Sequence, residues 1–267
     1  RTTPLERLET VTPAEALAHP TWRMGPKVTV DSATLMNKGL EIIEAHWLFD
    51  LPFHLIDVVI HPQSIVHALV SFRDGCTIAH AAYPDMRVPI QYALLYPERP
   101  SGVVRPLDFA ALGTLEFFPP DPLRFPALEL ARQVGLAGST YPTVLSASDE
   151  VAVQAFLEGR IRFTEIVPLV QHVVELHRPL CGPLTLDAIL EADQWARQVT
   201  EREIARRAAR RSHRGDHRRD PRGDHRLLTR RRQGPSPPAR APAVHPARAG
   251  PVGHAVATRA PRDPPGP

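Results

Sequence analysis

The chain has 267 residues, of which 43% are hydrophobic and 23% charged, a composition that excludes wholesale disorder. The formal net charge of +3 conceals a division, because residues 209–267 carry 14 arginines against four aspartates, a net of +10, and residues 1–208 carry −7. The segment 209–267 also holds 11 of the 30 prolines and no Phe, Trp, Tyr, Ile or Met. We therefore predict an acidic globular body joined to a basic, disordered tail over 209–267.

Cysteine content and hydropathy indicate the class of compartment. Cys76 and Cys181 are isolated from each other and form neither a disulfide framework nor a metal or redox motif, which favours a reducing compartment. There is no run of about 18 apolar residues to span a membrane, and the first residues lack the pattern of a secretory signal. These features predict a cytoplasmic protein. The chain contains only two lysines, Lys27 and Lys38, beside 30 arginines.

The first part of the chain predicts short helices and one strand. Thr12-Pro13-Ala14-Glu15 has the cap, the proline and the early carboxylate of a helix start, within an amphipathic segment over 4–21. The β-branched run Val28-Thr29-Val30 predicts a strand, and a helical pattern follows from Asp31 to about Phe49. The spacing of the apolar residues predicts that this helix faces a core through Leu40, Ile43 and Trp47.

Three more strands and a helix complete the first predicted domain. The strands are 57–60, 65–72 and 76–83, and Arg73-Asp74-Gly75 is a good hairpin connection between the second and third. A helix opens at Pro84-Asp85-Met86-Arg87 and runs to about Leu95. This order of elements indicates an α/β (α+β) domain with a small sheet over residues 1–95.

The second half of the chain predicts helices only. Residues 96–125 are rich in proline and predict a linker. Four amphipathic patterns follow, at about 126–135, 142–158, 163–178 and 185–208, and they predict a C-terminal four-helix bundle over 126–208. The composition of 209–267 resembles GC-rich DNA read out of frame, or an unrelated fused sequence.

The connector Thr21–Lys27 contains an aromatic residue, a thioether and a glycine side by side. One interpretation is a mobile lid, in which Trp22 and Met24 cover a ligand and Gly25 allows close approach of the backbone. The alternative is an ordinary loop whose Trp22 fills the core. The local sequence leaves both open.

The stretch Asp31–Glu41 is the richest in chemistry. Ser32, Asn37 and Lys38 supply two neutral polar groups and one point charge near a helix start, the donors that a phosphate monoester needs. Glu41 can share their helix face and ligate a hard divalent cation. The alternative is a capped helix with a solvated Lys38–Glu41 pair. Gly39 favours a functional reading, because glycine costs about 1 kcal/mol in a helix interior.

Other familiar sites are missing from the sequence. It contains no Gly-x-Ser-x-Gly, no Walker loop and no Gly-x-Gly-x-x-Gly to cradle a dinucleotide. His61 and His67 are six residues apart, but Pro62 interrupts the strand geometry that would align them, so we predict for both a structural role or one that supports a site without touching its ligand.

The segment His19–Phe49 closely resembles the 1-deoxy-D-xylulose 5-phosphate reductoisomerase family, as do Ile60-His-Pro-Gln-Ser64 and Pro84-Asp-Met-Arg87. The resemblance extends from about Arg1 to Ala208. It implies rearrangement and reduction of 1-deoxy-D-xylulose 5-phosphate to 2-C-methyl-D-erythritol 4-phosphate, in non-mevalonate isoprenoid biosynthesis. The cofactors implied are NADPH and Mg²⁺ or Mn²⁺ (or Co²⁺), and the partners are a phosphorylated sugar and a second copy in a homodimer.

The family's site residues fall on positions already singled out. The resemblance implies that Ser32, Asn37 and Lys38 bind the phosphate and hydroxyls of the substrate, and that Glu41 is one of three carboxylate metal ligands. Lys38 and Glu41 are the implied catalytic residues, with Lys38 orienting oxygens and offsetting charge. Gly25 matches a position that contacts NADPH. Further substrate-binding positions in the lid and the pocket match His19, Trp22, Met24, Pro84 and Met86.

The sequence also departs from the family pattern. In the family, a nucleotide-binding domain with a Gly-rich turn and the Asp-x-Glu pair of metal ligands precede the position of Arg1, so we expect a partial copy that does not turn over substrate alone. An alternative function is an inactive remnant that keeps a phosphate-binding or dimerising surface. A nucleic-acid-binding tail would act by counterion release, but it has no aromatic residue to stack on bases, which disfavours it.

Overall fold

The computed structural model describes residues 2–18, 24–102, 104–179, 182–216 and 253–259. Its helices are α1 (Leu5–Leu8), α2 (Pro13–Ala16), α3 (Pro26–Thr34), α4 (Met36–Phe49), α5 (Arg87–Leu95), α6 (Phe109–Leu112), α7 (Ala127–Ala137), α8 (Tyr141–Leu157), α9 (Ile166–Leu176) and α10 (Leu186–Asp216). Its strands are β1 (Ile56–His61), β2 (Val66–Ser71), β3 (Thr77–Ala81) and β4 (Gly253–Arg259). The fold is mostly helical with one small, mainly antiparallel sheet, which confirms the α+β expectation at that level.

The predicted helix start at Thr12 is confirmed. The Thr12 hydroxyl accepts a hydrogen bond from the backbone N–H of Glu15, and the Glu15 carboxylate accepts one from the backbone N–H of Thr12 at 2.8 Å. This reciprocal capping box satisfies two amide donors at the start of α2, and Pro13 occupies the first helical position.

The predicted strand at Val28–Val30 is wrong, since these residues lie within α3. Gly25 and Pro26 start the helix, and the hydroxyls of Thr29 and Ser32 donate to backbone carbonyls four residues earlier, at 2.9 Å each. Packing of α3 against α8 in the core outweighs the modest strand preference of β-branched residues.

The helix predicted from Asp31 to Phe49 is interrupted. Leu35 adopts a left-handed conformation (φ 61°) that ends α3, and α4 begins at Met36. Ile43 is buried and Leu40 half-buried as predicted, but Trp47 is 73% exposed, so its predicted place in the core is wrong. Trp47 lies in the last turn of α4, where the neighbouring Leu48 and Phe49 are exposed as well. The helix buries a different stripe, formed by Met36, Gly39, Ile42, Ile43 and Ala45.

The sheet has the order β1-β4-β2-β3. The predicted hairpin between β2 and β3 is confirmed, with antiparallel pairing and Gly75 at φ 88° in the turn. β4 is antiparallel to β1 and parallel to β2, and it supplies ladder partners to both. The helix that begins at Leu186 continues past Ala208 to Asp216. The prediction of a wholly disordered tail is therefore wrong at 209–216 and 253–259.

Physical reasons for these two departures are available in the structure. Alanine and arginine are good helix formers, so 205–211 can prolong α10, and Arg211 pairs with Glu165 at 3.1 Å. β1 and β2 pair with β4 and thereby satisfy backbone donors and acceptors that would otherwise lack a protein partner. The composition of the tail could not predict that residues 253–259 form a strand between β1 and β2.

The four predicted C-terminal helices are present as α7 to α10, and they contact one another. Their arrangement as a four-helix bundle stays a prediction. α7 packs on α4 and α8 packs on α3, so one continuous core joins the regions predicted as separate domains, 1–95 and 126–208. The part of the chain called a linker, 96–125, contains α6 and a bridge between Phe118 and Ile60. No helix within the described ranges is long and apolar enough to cross a membrane.

Gly39 owes its place in α4 to packing. A Cβ atom at this position would lie 2.8 Å from the Cβ of Ala131 and 3.2 Å from the carbonyl oxygen of Ala127, both on α7. Distances this short are repulsive, so α4 and α7 approach closely only because Gly39 has no side chain. Helix packing thus supplies a reason for a glycine that the sequence had offered as a sign of function.

We expect Gly39→Ala to destabilise the fold by up to about 2 kcal/mol, because overpacking costs about 1–3 kcal/mol and alanine's better helix propensity returns about 1 kcal/mol. Urea unfolding of the purified chain, followed by circular dichroism, measures the change. Ala131→Gly removes the opposing methyl group, so the double variant should be more stable than the sum of the single effects by about 1 kcal/mol or more. Strictly additive effects would show that the two positions do not clash.

Candidate functional site

The site predicted over Asp31–Glu41 lies where α3 ends and α4 begins. Leu35, buried and in the left-handed conformation, turns the chain between the two helices. A non-glycine residue in this region of backbone space is uncommon and is held by its surroundings. The turn places Ser32 at the end of α3, and Asn37 and Lys38 in the first turn of α4.

Lys38 and Glu41 form a close ion pair. The Lys38 Nζ lies 2.7 Å from each oxygen of the Glu41 carboxylate. The Lys38 side chain is 14% exposed and that of Glu41 is 39% exposed. The sequence had left open a solvated pair, and the structure shows the pair itself but with its ammonium largely withdrawn from solvent. In this arrangement the positive charge of Lys38 is paired with the Glu41 carboxylate.

The Asn37 side-chain oxygen and the Ser32 hydroxyl differ in their hydrogen bonding. The Asn37 Oδ1 is buried and has no hydrogen-bond partner in the described structure. The Ser32 hydroxyl donates to the carbonyl of Val28 at 2.9 Å, so it must turn away from that oxygen to donate to a ligand. Because buried amide oxygens are nearly always hydrogen-bonded, the Asn37 oxygen marks a position suited to a hydroxyl donor.

The described residues do not form a complete divalent metal site. Within the described ranges, no group of three or more His, Cys, Asp and Glu side chains is arranged to hold a metal ion. Glu41 is therefore a single carboxylate with Lys38 bound to it. Magnesium takes six ligands, and manganese likewise prefers oxygen donors, so these residues alone do not fit a complete site for either ion.

The predicted lid residues divide between described and undescribed parts of the chain. His19 and Trp22 lie outside the described residues. Met24 is half-buried, and Gly25 is exposed at the N-cap of α3, with no heavy atom within 4 Å of the position of an added Cβ. Pro84 is half-buried, and Met86, 58% exposed, is the N-cap residue of α5.

His61 has the structural role that the sequence predicts. It is fully buried at the end of β1, its Nδ1–H donates to the Glu116 carbonyl at 2.8 Å, and its ring stacks on Phe117. These contacts fix the end of β1 to the segment that follows α6.

His67 also makes a structural contact. Its Nε2–H donates to the Ala82 carbonyl at 3.1 Å, which ties β2 to the segment after β3. Burial lowers the pKa of His67, and the positive charges of His80, His61 and Lys38 act in the same direction. His67 lies near the start of β2.

The start of α4 brings together a largely buried lysine, a buried amide oxygen without a partner and a carboxylate, with the Ser32 hydroxyl at the end of α3. Two family models match this chain. Residues 1–49 match the model described as the 1-deoxy-D-xylulose 5-phosphate reductoisomerase C-terminal domain, and residues 82–199 match the DXP reductoisomerase C-terminal domain.

Individual relatives give the same family. The 1-deoxy-D-xylulose 5-phosphate reductoisomerase of Thermomicrobium roseum is 73% identical over 199 residues, which cover 74% of this chain and 52% of the relative. That of Moorella thermoacetica is 59% identical over 198 residues, covering 74% of this chain and 51% of the relative. The chain thus spans about half the length of the curated relatives it matches.

Solved structures extend the similarity to the fold. The reductoisomerase from Zymomonas mobilis in complex with NADPH has a TM-score of 0.71 and 39% identity, covering 76% of this chain and 52% of that one. A DOX-P reductoisomerase in complex with NADPH, fosmidomycin and magnesium has a TM-score of 0.72 and 40% identity over the same shares. Over its matched residues, the chain belongs to the 1-deoxy-D-xylulose 5-phosphate reductoisomerase family.

We expect Glu41→Gln to raise the affinity of the metal-free chain for inorganic phosphate by about two- to fivefold. The substitution frees Lys38 from an ion pair of about 0.5–1 kcal/mol and removes a negative charge next to the anion. Phosphate titrations followed by NMR measure the effect, and Glu44→Gln, an exposed carboxylate on the same helix, is the matched control. Equal affinities in the three proteins would show that Glu41 does not compete for Lys38.

Proposed function

We propose that this chain forms the substrate-phosphate side of a 1-deoxy-D-xylulose 5-phosphate reductoisomerase, the enzyme that converts that sugar phosphate to 2-C-methyl-D-erythritol 4-phosphate. The observation that carries the proposal is the juxtaposition of largely buried Lys38 with the unpartnered oxygen of Asn37 at the start of α4. The family membership and the ligands named for the related structures support it.

Each residue of the site has a proposed task. The Lys38 ammonium pairs with a phosphate or sugar oxygen once it leaves Glu41, and the Ser32 hydroxyl adds a neutral donor. The Asn37 amide oxygen accepts from a substrate hydroxyl, which relieves its unpaired burial. Proposed contacts from the surrounding segments come from His19, Trp22, Met24, Pro84 and Met86.

The cofactors are NADPH and a divalent cation, by analogy with the related complexes that contain NADPH and magnesium. Glu41 is the proposed metal ligand of this chain and Gly25 the proposed contact to NADPH. One carboxylate does not complete a metal site by itself. A homodimer in the cytoplasm completes the proposal.

An inactive remnant that keeps only the phosphate-binding surface is a second candidate. The single carboxylate among the described residues around Lys38 favours it. Incubation of the purified chain with NADPH, 1-deoxy-D-xylulose 5-phosphate and Mn²⁺ tests whether the isolated chain turns over substrate. We expect ligand binding without oxidation of NADPH above background. Oxidation at a rate proportional to chain concentration would exclude the remnant.

We expect Lys38→Gln to weaken the binding of inorganic phosphate and of fosmidomycin by about 10- to 100-fold, because a charge-assisted hydrogen bond contributes about 1.5–3 kcal/mol. Isothermal titration of the purified chain measures both affinities. Arg206→Gln removes an exposed cation on α10 and serves as the control for a loss of general positive charge. Unchanged binding by Lys38→Gln, or an equal loss in the control, would remove the basis of the proposed function.

A further inference from the structure

The second lysine of the chain joins the two halves of the core. Lys27 lies in the first turn of α3, and its Nζ is 2.5 Å from Asp31 Oδ2 and 2.8 Å from Asp149 Oδ2. Asp31 is one turn further along α3, whereas Asp149 belongs to α8 among the C-terminal helices. A single ammonium group therefore ties the helix that carries Ser32 to a helix 122 residues away in the sequence.

The charges in this cluster do not balance if every group is ionised. The side chain of Asp149 is fully buried, that of Asp31 is 5% exposed, and only Lys27 reaches solvent, at 35% exposure. Two carboxylates beneath one ammonium leave a net charge of −1 in the interior. An uncompensated buried charge is strongly unfavourable, and proteins avoid it by moving a proton.

The remaining carboxyl oxygens show where that proton belongs. Asp31 Oδ1 and Asp149 Oδ1 are both buried and neither has a hydrogen-bond partner. The two carboxyl groups are neighbours, because their Oδ2 atoms lie 2.5 and 2.8 Å from the same Lys27 Nζ. Ionised carboxylates can only accept, so a bond between them requires a hydrogen on one of them. One proton provides the donor and neutralises the excess charge.

We propose that Asp31 and Asp149 share one proton beneath Lys27, and that Asp149 thereby acts as a positioning residue for the α3 helix that presents Ser32. The shared proton follows from the geometry of the cluster alone. Its importance for the phosphate site rests on the proposed function of Ser32. Deprotonation would set two buried carboxylates against each other across the α3–α8 contact and loosen α3.

Burial raises the pKa of Asp149 to about 7, and the Asp31 charge acts in the same direction, while Lys27 opposes them. Burial also raises the pKa of Asp31. A carboxyl group whose pKa is higher in the folded than in the unfolded state stabilises the fold below its unfolded pKa of about 3.9, and this contribution is lost as the pH rises through about 7.

The negative charge of Glu150 also raises the pKa of Asp31. Several charged groups on the helices packed against α3 and α8 have partners of their own: Glu15 with Thr12 and Arg7, Lys38 with Glu41, Arg197 with Glu150 and Asp193, Arg132 with the carbonyls of Phe53 and Ile56, and His172 with Glu203. The pH response of α3 is therefore assigned to the Asp31–Asp149 pair.

Hydrogen exchange of the full chain at about pH 6 and about pH 8.5, on either side of the transition, tests the proposal. After correction for intrinsic rates, we expect the α3 amides to lose about tenfold or more of their protection relative to α9 at the higher pH. Asp149→Asn should remove this loss, because its neutral amide donates to Asp31 without needing a proton. Glu158→Gln, at the exposed end of α8, should behave like the unmodified chain.

Two results would overturn the proposal: protection of α3 that does not depend on pH, or the same pH dependence in Asp149→Asn as in the unmodified chain. If Asp149→Asn fails to fold, the infrared carboxylic-acid band of the unmodified chain decides, since it must disappear as the pH rises through about 7. Lys38→Gln should lose phosphate binding yet keep the α3 response, so failure of the proposed function and failure of the shared proton give different results.

Discussion

The close approach of α4 to α7 at Gly39 and Ala131 is the contact on which the rest of the molecule depends. It requires a glycine in a helix interior, and it brings the α3–α4 unit against the C-terminal helices. The Lys27–Asp149 contact joins the same two parts a few turns away, through charge instead of shape. Together, these contacts make one core from segments that the sequence suggests are separate domains.

The candidate site inherits its geometry from that arrangement. α3 and α4 are both fixed on the C-terminal helices, so the turn at Leu35 has little freedom, and Ser32, Asn37 and Lys38 keep a constant relation to one another. In the metal-free chain, Glu41 neutralises Lys38. Under the proposed function, an arriving anion competes with this carboxylate for Lys38, so binding of the anion and the position of Glu41 are coupled.

Much of the fold could be predicted where local chemistry decides the outcome. The capping box at Thr12, the Gly75 hairpin and the positions of the four C-terminal helices depend on neighbouring residues and were correctly predicted. The strand predicted at Val28–Val30 was wrong because packing of α3 on α8 outweighs the intrinsic strand propensity of these residues. The predicted burial of Trp47 was wrong because the position of α7 determines which face of α4 is buried. Both effects depend on contacts between distant parts of the chain, which cannot be predicted from the local spacing of apolar residues.

The same distinction holds for the site. The sequence could predict a site that contains Asn37, Lys38 and Glu41, because these residues are close to one another along the chain. It could not predict the contact between Lys27 and Asp149, because the two residues are 122 positions apart. A crystal structure of the chain grown with fosmidomycin tests the phosphate assignment most directly. We predict that the anionic group lies within hydrogen-bonding distance of Lys38 Nζ and the Ser32 hydroxyl, with Glu41 turned away. An anion bound elsewhere, with the Lys38–Glu41 pair intact, would contradict it.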